Sequence, residues 1–381
     1  MPSKGSGPGH WSKAQLAATI DQEDFIVLNA AKDLIEGSMS QVVINVPLID
    51  KRTGEVCLTG MRASDALPAR TVPRIIDEVN SKGFTFERVV VQVDLLTPER
   101  LELYHQCIEE SGSSGAKLFL NELRTEMVTA FTDLARLDEV DAIVVGMELN
   151  AYAEIQDDTG INRTWDYVNL VGLYHEIYTE IKSINAEIQV GPSISWSVLM
   201  NRSLPAVAEE FSLGVNSLLA MEIVLRRTVW PFLAQGAETR ADFIGVTLIP
   251  YNTEPPYEGT PTPDQLDEVS AYYQALPLIA ANPVFTDPLP IALTMIDWRT
   301  SNNANGGQKT DYLISLKESL NGVDPQWVAW RRLSNVPEDP PETSPCRALT
   351  NRGYPDDFCF AGVITYVGEP RSVWEVLTAT E

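Results

Sequence analysis

The sequence predicts an α/β fold, a single (β/α)8 or TIM barrel with loop insertions at the C-terminal face of its strands. Three observations predict it. Short β-branched runs alternate with stretches of helical periodicity, the pattern of a parallel sheet with crossover helices. The runs number eight, as many as a closed barrel needs. Polar and aromatic residues gather just after the runs rather than inside them, as expected where strand C-termini open onto one face.

The eight runs are Gln41 to Pro47, Arg88 to Asp94, Ala116 to Leu120, Asp141 to Gly146, Glu187 to Gly191, Asp242 to Thr247, Pro290 to Thr294 and Gln326 to Trp330. They carry few internal charges, as strands do when helices cover one face and side chains fill the barrel. Between them, residues 98–111, 124–137, 165–184, 263–280 and 310–320 place apolar side chains at helical spacing, with Pro98 and Pro263 suited to first-turn positions. Residues 50–57 read as a hairpin. Residues 250–263, with five prolines, and 337–345 read as rigid loops. No repeat of fixed period and no composition break marks a second domain. The division expected is a flexible N-terminal segment over residues 1–24, rich in Gly and Ser at its start, and a barrel over residues 25–381.

Charge and composition narrow the function. With 28 Lys plus Arg against 53 Asp plus Glu, the net charge of −25 repels phosphate backbones, so nucleic acid is a poor partner. No apolar run approaches the ~18 residues of a membrane span, and membrane insertion is not expected. The opening residues have no apolar core of a signal peptide; a secreted, periplasmic or cell-surface setting would require a leader or anchor removed upstream. Cys346 and Cys359 lie close together in a loop-rich stretch and are expected to pair, whereas Cys57 and Cys107 cannot be matched from sequence. Three scattered histidines, His105 and His175 among them, make no metal site, and no cofactor is implied. Asn162 and Asn201 match the glycosylation acceptor pattern.

The chemistry concentrates at the run ends. Asp94 follows the second run, Glu122 the third, Glu148 and Asn150 the fourth, Trp196 the fifth, Tyr251 the sixth, Asp297 and Trp298 the seventh, and Trp330 with Arg331 and Arg332 the eighth. In a barrel these converge on one cleft. Glu148, just beyond the apolar Val144-Val145, sits where partial burial favours a protonated carboxyl suited to general acid work. Cleaving a glycosidic bond needs a second carboxylate, as nucleophile or as activator of water. Trp196, Trp298, Trp330 and Tyr251 offer flat faces for sugar stacking, a role that core packing contests, since both need the same apolar surface.

At these positions the chain resembles the large retaining glycoside hydrolase clan with a (β/α)8 barrel. Gly146-Met147-Glu148-Leu149-Asn150 is similar to the fourth-strand pattern that places the acid/base. The stretch from Ala241 to Tyr251 looks like the sixth-strand pattern that ends in a sugar-lining Tyr. Pro290 to Trp298 looks like the seventh-strand pattern that carries the nucleophilic Glu three residues before a Trp. Val328 to Trp330 and Phe360 to Arg371 resemble the last strand and the close of such barrels. The resemblance implies a carbohydrate, oligo- or polysaccharide, as ligand, with Glu148 as acid/base. Two residues depart from it: Met147 stands for the Asn before the acid/base, and Met295 stands at the nucleophile position. Methionine cannot attack a sugar. Asp297 is the nearest substitute if the strand end is bulged, with Glu254, Glu258, Glu122 and Asp94 as further candidates. Two function classes follow: a hydrolase with Glu148 and Asp297, or a barrel without catalysis kept for glycan binding or as a surface or assembly component. A phosphate-binding barrel is disfavoured, because residues 302–307 lack the Lys or Ser/Thr spacing of a phosphate loop.

Overall fold

A computed structural model describes residues 11–20, 25–48, 68–94, 124–150, 164–214, 217–249, 277–280, 287–297, 306–320, 323–334, 362–364 and 371–379. The barrel strands are β1 (Leu16–Ile20), β2 (Gln41–Pro47), β3 (Arg88–Asp94), β4 (Ala142–Val145), β5 in two pieces (Gln189–Gly191 and Ser193–Ser195), β6 (Ile244–Leu248), β7 (Ile291–Ile296) and β8 (Val328–Trp330). Every neighbouring pair is parallel, and β1 pairs with both β2 and β8. The helices that position the site are α1 (Phe25–Ser38), α2 (Pro68–Ser81), α3 (Arg124–Leu134), α4 (Thr164–Ile184), α5 (Leu204–Glu210), α6 (Leu218–Thr228), α7 (Gly306–Ser319) and α8 (Ser372–Thr378).

Pro192 divides β5. Lacking an N–H, it cannot extend the ladder, so the first piece pairs with β4 and the second with β6. The carbonyls of Val190 and Pro192 nevertheless accept from Asp242 and Gly245, which keeps the two halves in one line and closes the ring.

Alternation along each strand sorts the side chains into two cores. Leu16, Ala18 and Ile20, Val91 and Val93, Ile143 and Val145, and Val328 and Trp330 face outward into the helix layer. Ala17, Val43, Val90, Ala142, Val144, Phe243, Ala292, Trp327 and Ala329 fill the interior. Phe243 and Trp327 meet edge to face, 4.8 Å between centroids, and the Arg88 guanidinium covers Trp327 from 4.7 Å. A polar layer lies above. Gln92 Nε2 donates to Asn45 Oδ1 (2.7 Å) and to the Thr294 carbonyl (3.0 Å), and the Ser193 and Thr294 hydroxyls lie 2.7 Å apart. Each of these residues continues the inward parity of its strand, so the interior turns from apolar to polar toward the strand C-termini.

Two expectations change. Leu16–Ile20 is a fully buried central strand, so the segment read as flexible contains β1. Its Leu-Ala-Ala-Thr-Ile lacks the β-branched density of the other runs, and it follows a Gly- and Pro-rich opening. The run at 116–120 lies outside the described residues, and the eight-stranded ring closes without it. Asp94 therefore follows β3 rather than a second strand, while the numbering from β4 onward stands. Residues 50–57, 250–263 and 337–345, all four cysteines, His105 and Asn162 also lie outside the described residues.

Candidate functional site

The turn after β4 is built from its backbone. Gly146 has φ +78° and Glu148 φ +53°, so two of three successive residues are left-handed. For Gly146 that conformation is free; for Glu148 it costs about 1 kcal/mol or more, and such strain persists only where neighbours impose it. They do so here. The Gly146 N–H donates to the Val93 carbonyl (3.0 Å), and the Gly146 carbonyl accepts from Ser193 (3.2 Å), pinning the turn to β3 and β5. Met147 packs on the barrel interior, Leu149 is in the outer core, and Asn150 is fully buried. Within this turn Glu148 is the half-exposed residue, set at the C-terminal mouth.

Asn150, expected among the residues that converge on the cleft, is enclosed and bonded to the neighbouring strand. Its Nδ2 donates to the Ser195 carbonyl (2.8 Å), and its Oδ1 accepts from the Ser195 N–H (2.6 Å). The parallel register of β4 with β5 would next call for a β4 backbone partner at Ser195, but the chain has already turned away. The Asn150 amide supplies a substitute peptide group, braces the turn and is enclosed.

At β7 the register shifts between Leu293 and Met295, so Thr294 is an extra residue on that strand. The bulge returns Met295 to inward parity, where it is half-buried against the interior cluster, and gives Asp297 the same parity two residues on. The strand is bulged, which meets the condition for Asp297 to share that parity, yet the carboxylate is engaged. Asp297 is 1% exposed; its Oδ1 accepts from Lys309 Nζ of α7 at 2.8 Å, and its Oδ2 lies 3.5 Å from Arg331 NH1, just past β8. Lys309 also lies 5.6 Å above the centroid of Trp330. Burial pulls the Lys309 ammonium below its ordinary range; Asp297 opposes that shift, and Arg331 and Arg371 add repulsion. Asp297 is thus an ion-pair partner in a buried charge cluster. Sequence reasoning noted Arg331 without a role and missed Lys309, whose place in an ordinary helical pattern carried no signal.

The aromatic residues divide by parity. Trp330 and Trp196 are each 2% exposed and belong to the outer core, turned from the barrel axis, so neither is an open stacking face. With Trp327 and Ala329 in the barrel interior, alternation gives Trp330 outward parity. Asp94 continues the inward parity of Gln92 and is half-buried at the mouth. Glu122, Tyr251, Trp298, Glu254 and Glu258 lie outside the described residues. Beyond β5 the chain forms a short helix capped by the Ser195 hydroxyl, then a π-helical turn over Leu199–Ser203 that holds Asn201; such turns are frequent at functional sites. No group of three or more His, Cys, Asp or Glu side chains among the described residues is arranged to hold a metal. No described helix is long and apolar enough to cross a membrane.

No protein-family model matches the sequence, and neither does any curated protein. Solved structures do match. A GH5_18 protein from Bifidobacterium longum subsp. infantis superposes with a TM-score of 0.55 at 11% identity, over 96% of this chain and 77% of that one. The exo-β-1,4-mannosidase Op5Man5 from Opitutaceae bacterium strain TAV5 gives 0.54 at 12% identity, over 98% of this chain and 61% of its own, so the chain spans about three fifths of that protein's length. The β-glycosidase BGL167 gives 0.54 at 12% identity, over 97% and 96%. The chain shares the (β/α)8 barrel fold of these structures.

Proposed function

We propose that the protein recognises a carbohydrate at the C-terminal face of its barrel and that Glu148 serves there as general acid/base in hydrolysis of an O-glycosidic bond. One observation carries this reading: a carboxylate held in a strained left-handed conformation at the mouth of β4, in a turn otherwise buried and pinned to both neighbouring strands. Strain of this kind supports a role in positioning, since an ordinary salt bridge would not require it. Neighbours named for β-linked sugars, a mannosidase and a β-glycosidase, support the substrate class. The mechanism asks Glu148 to protonate the leaving oxygen while a second carboxylate acts on the opposite face of the ring. Asp297 is a poor second carboxylate, because two cations hold it. Asp94, half-buried at the mouth with the inward parity of Gln92, is the described carboxylate we name for that part.

A second reading is favoured by Met295, which has the inward parity of the strand-7 nucleophile position and no nucleophilic atom. It makes the barrel a glycan-binding component that does not cleave, at a cell surface or in an assembly outside the cytoplasm. One experiment separates the two: incubating the protein and Glu148→Gln with a panel of oligosaccharides, and following product release and binding together. The hydrolase reading expects turnover by the native chain and a loss of about 10²–10⁴-fold in the variant. Binding without turnover by either would establish the second reading, and neither binding nor turnover would overturn both.

A further inference from the structure

The charge cluster beyond β7 and β8 has a part to play beyond holding Asp297. Lys309 and Arg331 both converge on that carboxylate, and Arg331 follows Trp327 and Ala329 in inward parity at the end of β8. Arg371 joins them through the start of α8. The Thr310 hydroxyl, next to Lys309, lies 3.2 Å from the Ser372 hydroxyl, next to Arg371, and Arg371 is close enough to Lys309 to repel its charge. Arg371 is half-buried and has no carboxylate partner among the described residues. Burial lowers its pKa too, so this guanidinium has given up part of its hydration with no anion among the described residues in exchange. In a chain with 28 basic against 53 acidic residues, three cations gathered beside the barrel mouth run against the overall charge.

We propose that Arg371, backed by Lys309 and Arg331, forms an anion-recognition subsite, so that the carbohydrate bound here carries a negatively charged oxygen group, either a uronate carboxylate or a sulfate ester. A guanidinium offers two parallel N–H donors to such a group, and the cluster behind it, two cations against the single carboxylate of Asp297, keeps a net positive charge that favours an anion without being reached directly. The inference rests on the carbohydrate reading above and narrows it to acidic glycans.

The test is calorimetric titration of the full chain with three tetrasaccharide sets of matched length: uronates, sulfated sugars and neutral sugars. The expected result is an affinity for one acidic set at least tenfold above that for the neutral set, weakened by added salt. The acidic set that binds identifies the substituent. Arg371→Gln is expected to lose that preference at least fivefold with an unchanged circular dichroism spectrum, and Arg371→Lys, which keeps the charge but not the paired donors, to lose less of it than Arg371→Gln. Neutral sugars binding as tightly as acidic ones would overturn the inference and leave the carbohydrate reading standing. So would an acidic preference untouched by Arg371→Gln. If no set binds, both readings fall.

Discussion

The ends of β4 and β7 occupy corresponding places on the barrel, and each carries a carboxylate on the mouth side. After β4 two left-handed residues make a tight turn, backbone bonds fix it from both sides, and Glu148 is left half-exposed. After β7 a bulge restores inward parity, but Lys309 and Arg331 close on Asp297 and bury it. A carboxylate at a strand end therefore becomes a candidate acid or a structural ion according to what the next helix brings to it. Backbone strain marks the first case, and desolvated countercharge marks the second.

The comparison can be broken at either end. The largest stability effect is expected from Asp297→Asn, which takes the anion from between two buried cations and should cost about 3–5 kcal/mol in urea denaturation. A loss below about 1 kcal/mol would mean that the cluster is solvated and that the contrast with β4 fails. Next comes Asn150→Ala. Two bonds to the Ser195 backbone disappear and a buried N–H is left without its acceptor, a cost of about 1–3 kcal/mol by the same measurement. The smallest effect sharpens the contrast most. Glu148→Gly relieves the left-handed strain while loosening the unfolded chain, so its melting temperature should match or exceed the native value, with ΔΔG within about 1 kcal/mol, while function is lost. Destabilisation beyond about 2 kcal/mol would make Glu148 a structural ion like Asp297.

Most of the ring was legible because its strands are β-branched runs bounded by polar ends; Arg88–Asp94 and Gln41–Pro47 coincide with the runs read from sequence. β1 was not, because two alanines in five residues give little strand signal, and its burial comes from β2 and β8 rather than from itself. Glu148 was legible as a polar residue after an apolar strand, but its left-handed backbone was not, since only Gly146 advertises such a turn. The roles of Asn150 and Asp297 depend on partners 45 and 12 residues away, across strands and onto a helix, and no local pattern announces such pairings. Alternation puts Trp330 and Trp327 on opposite sides of their strand, but which of the two faces the barrel interior is set by the fold and not by the run itself.

The break at Pro192 gives the Asn150 brace a mechanical meaning. A barrel closed through a strand that lacks one donor has a seam, and the Asn150 amide is stitched across it at Ser195 from the same turn that carries Glu148. Closure of the ring and aim of the carboxylate are one mechanical unit. Loosening the seam would free the turn that sets Glu148, whose backbone is tied to the hoop on both sides rather than carried on a loop.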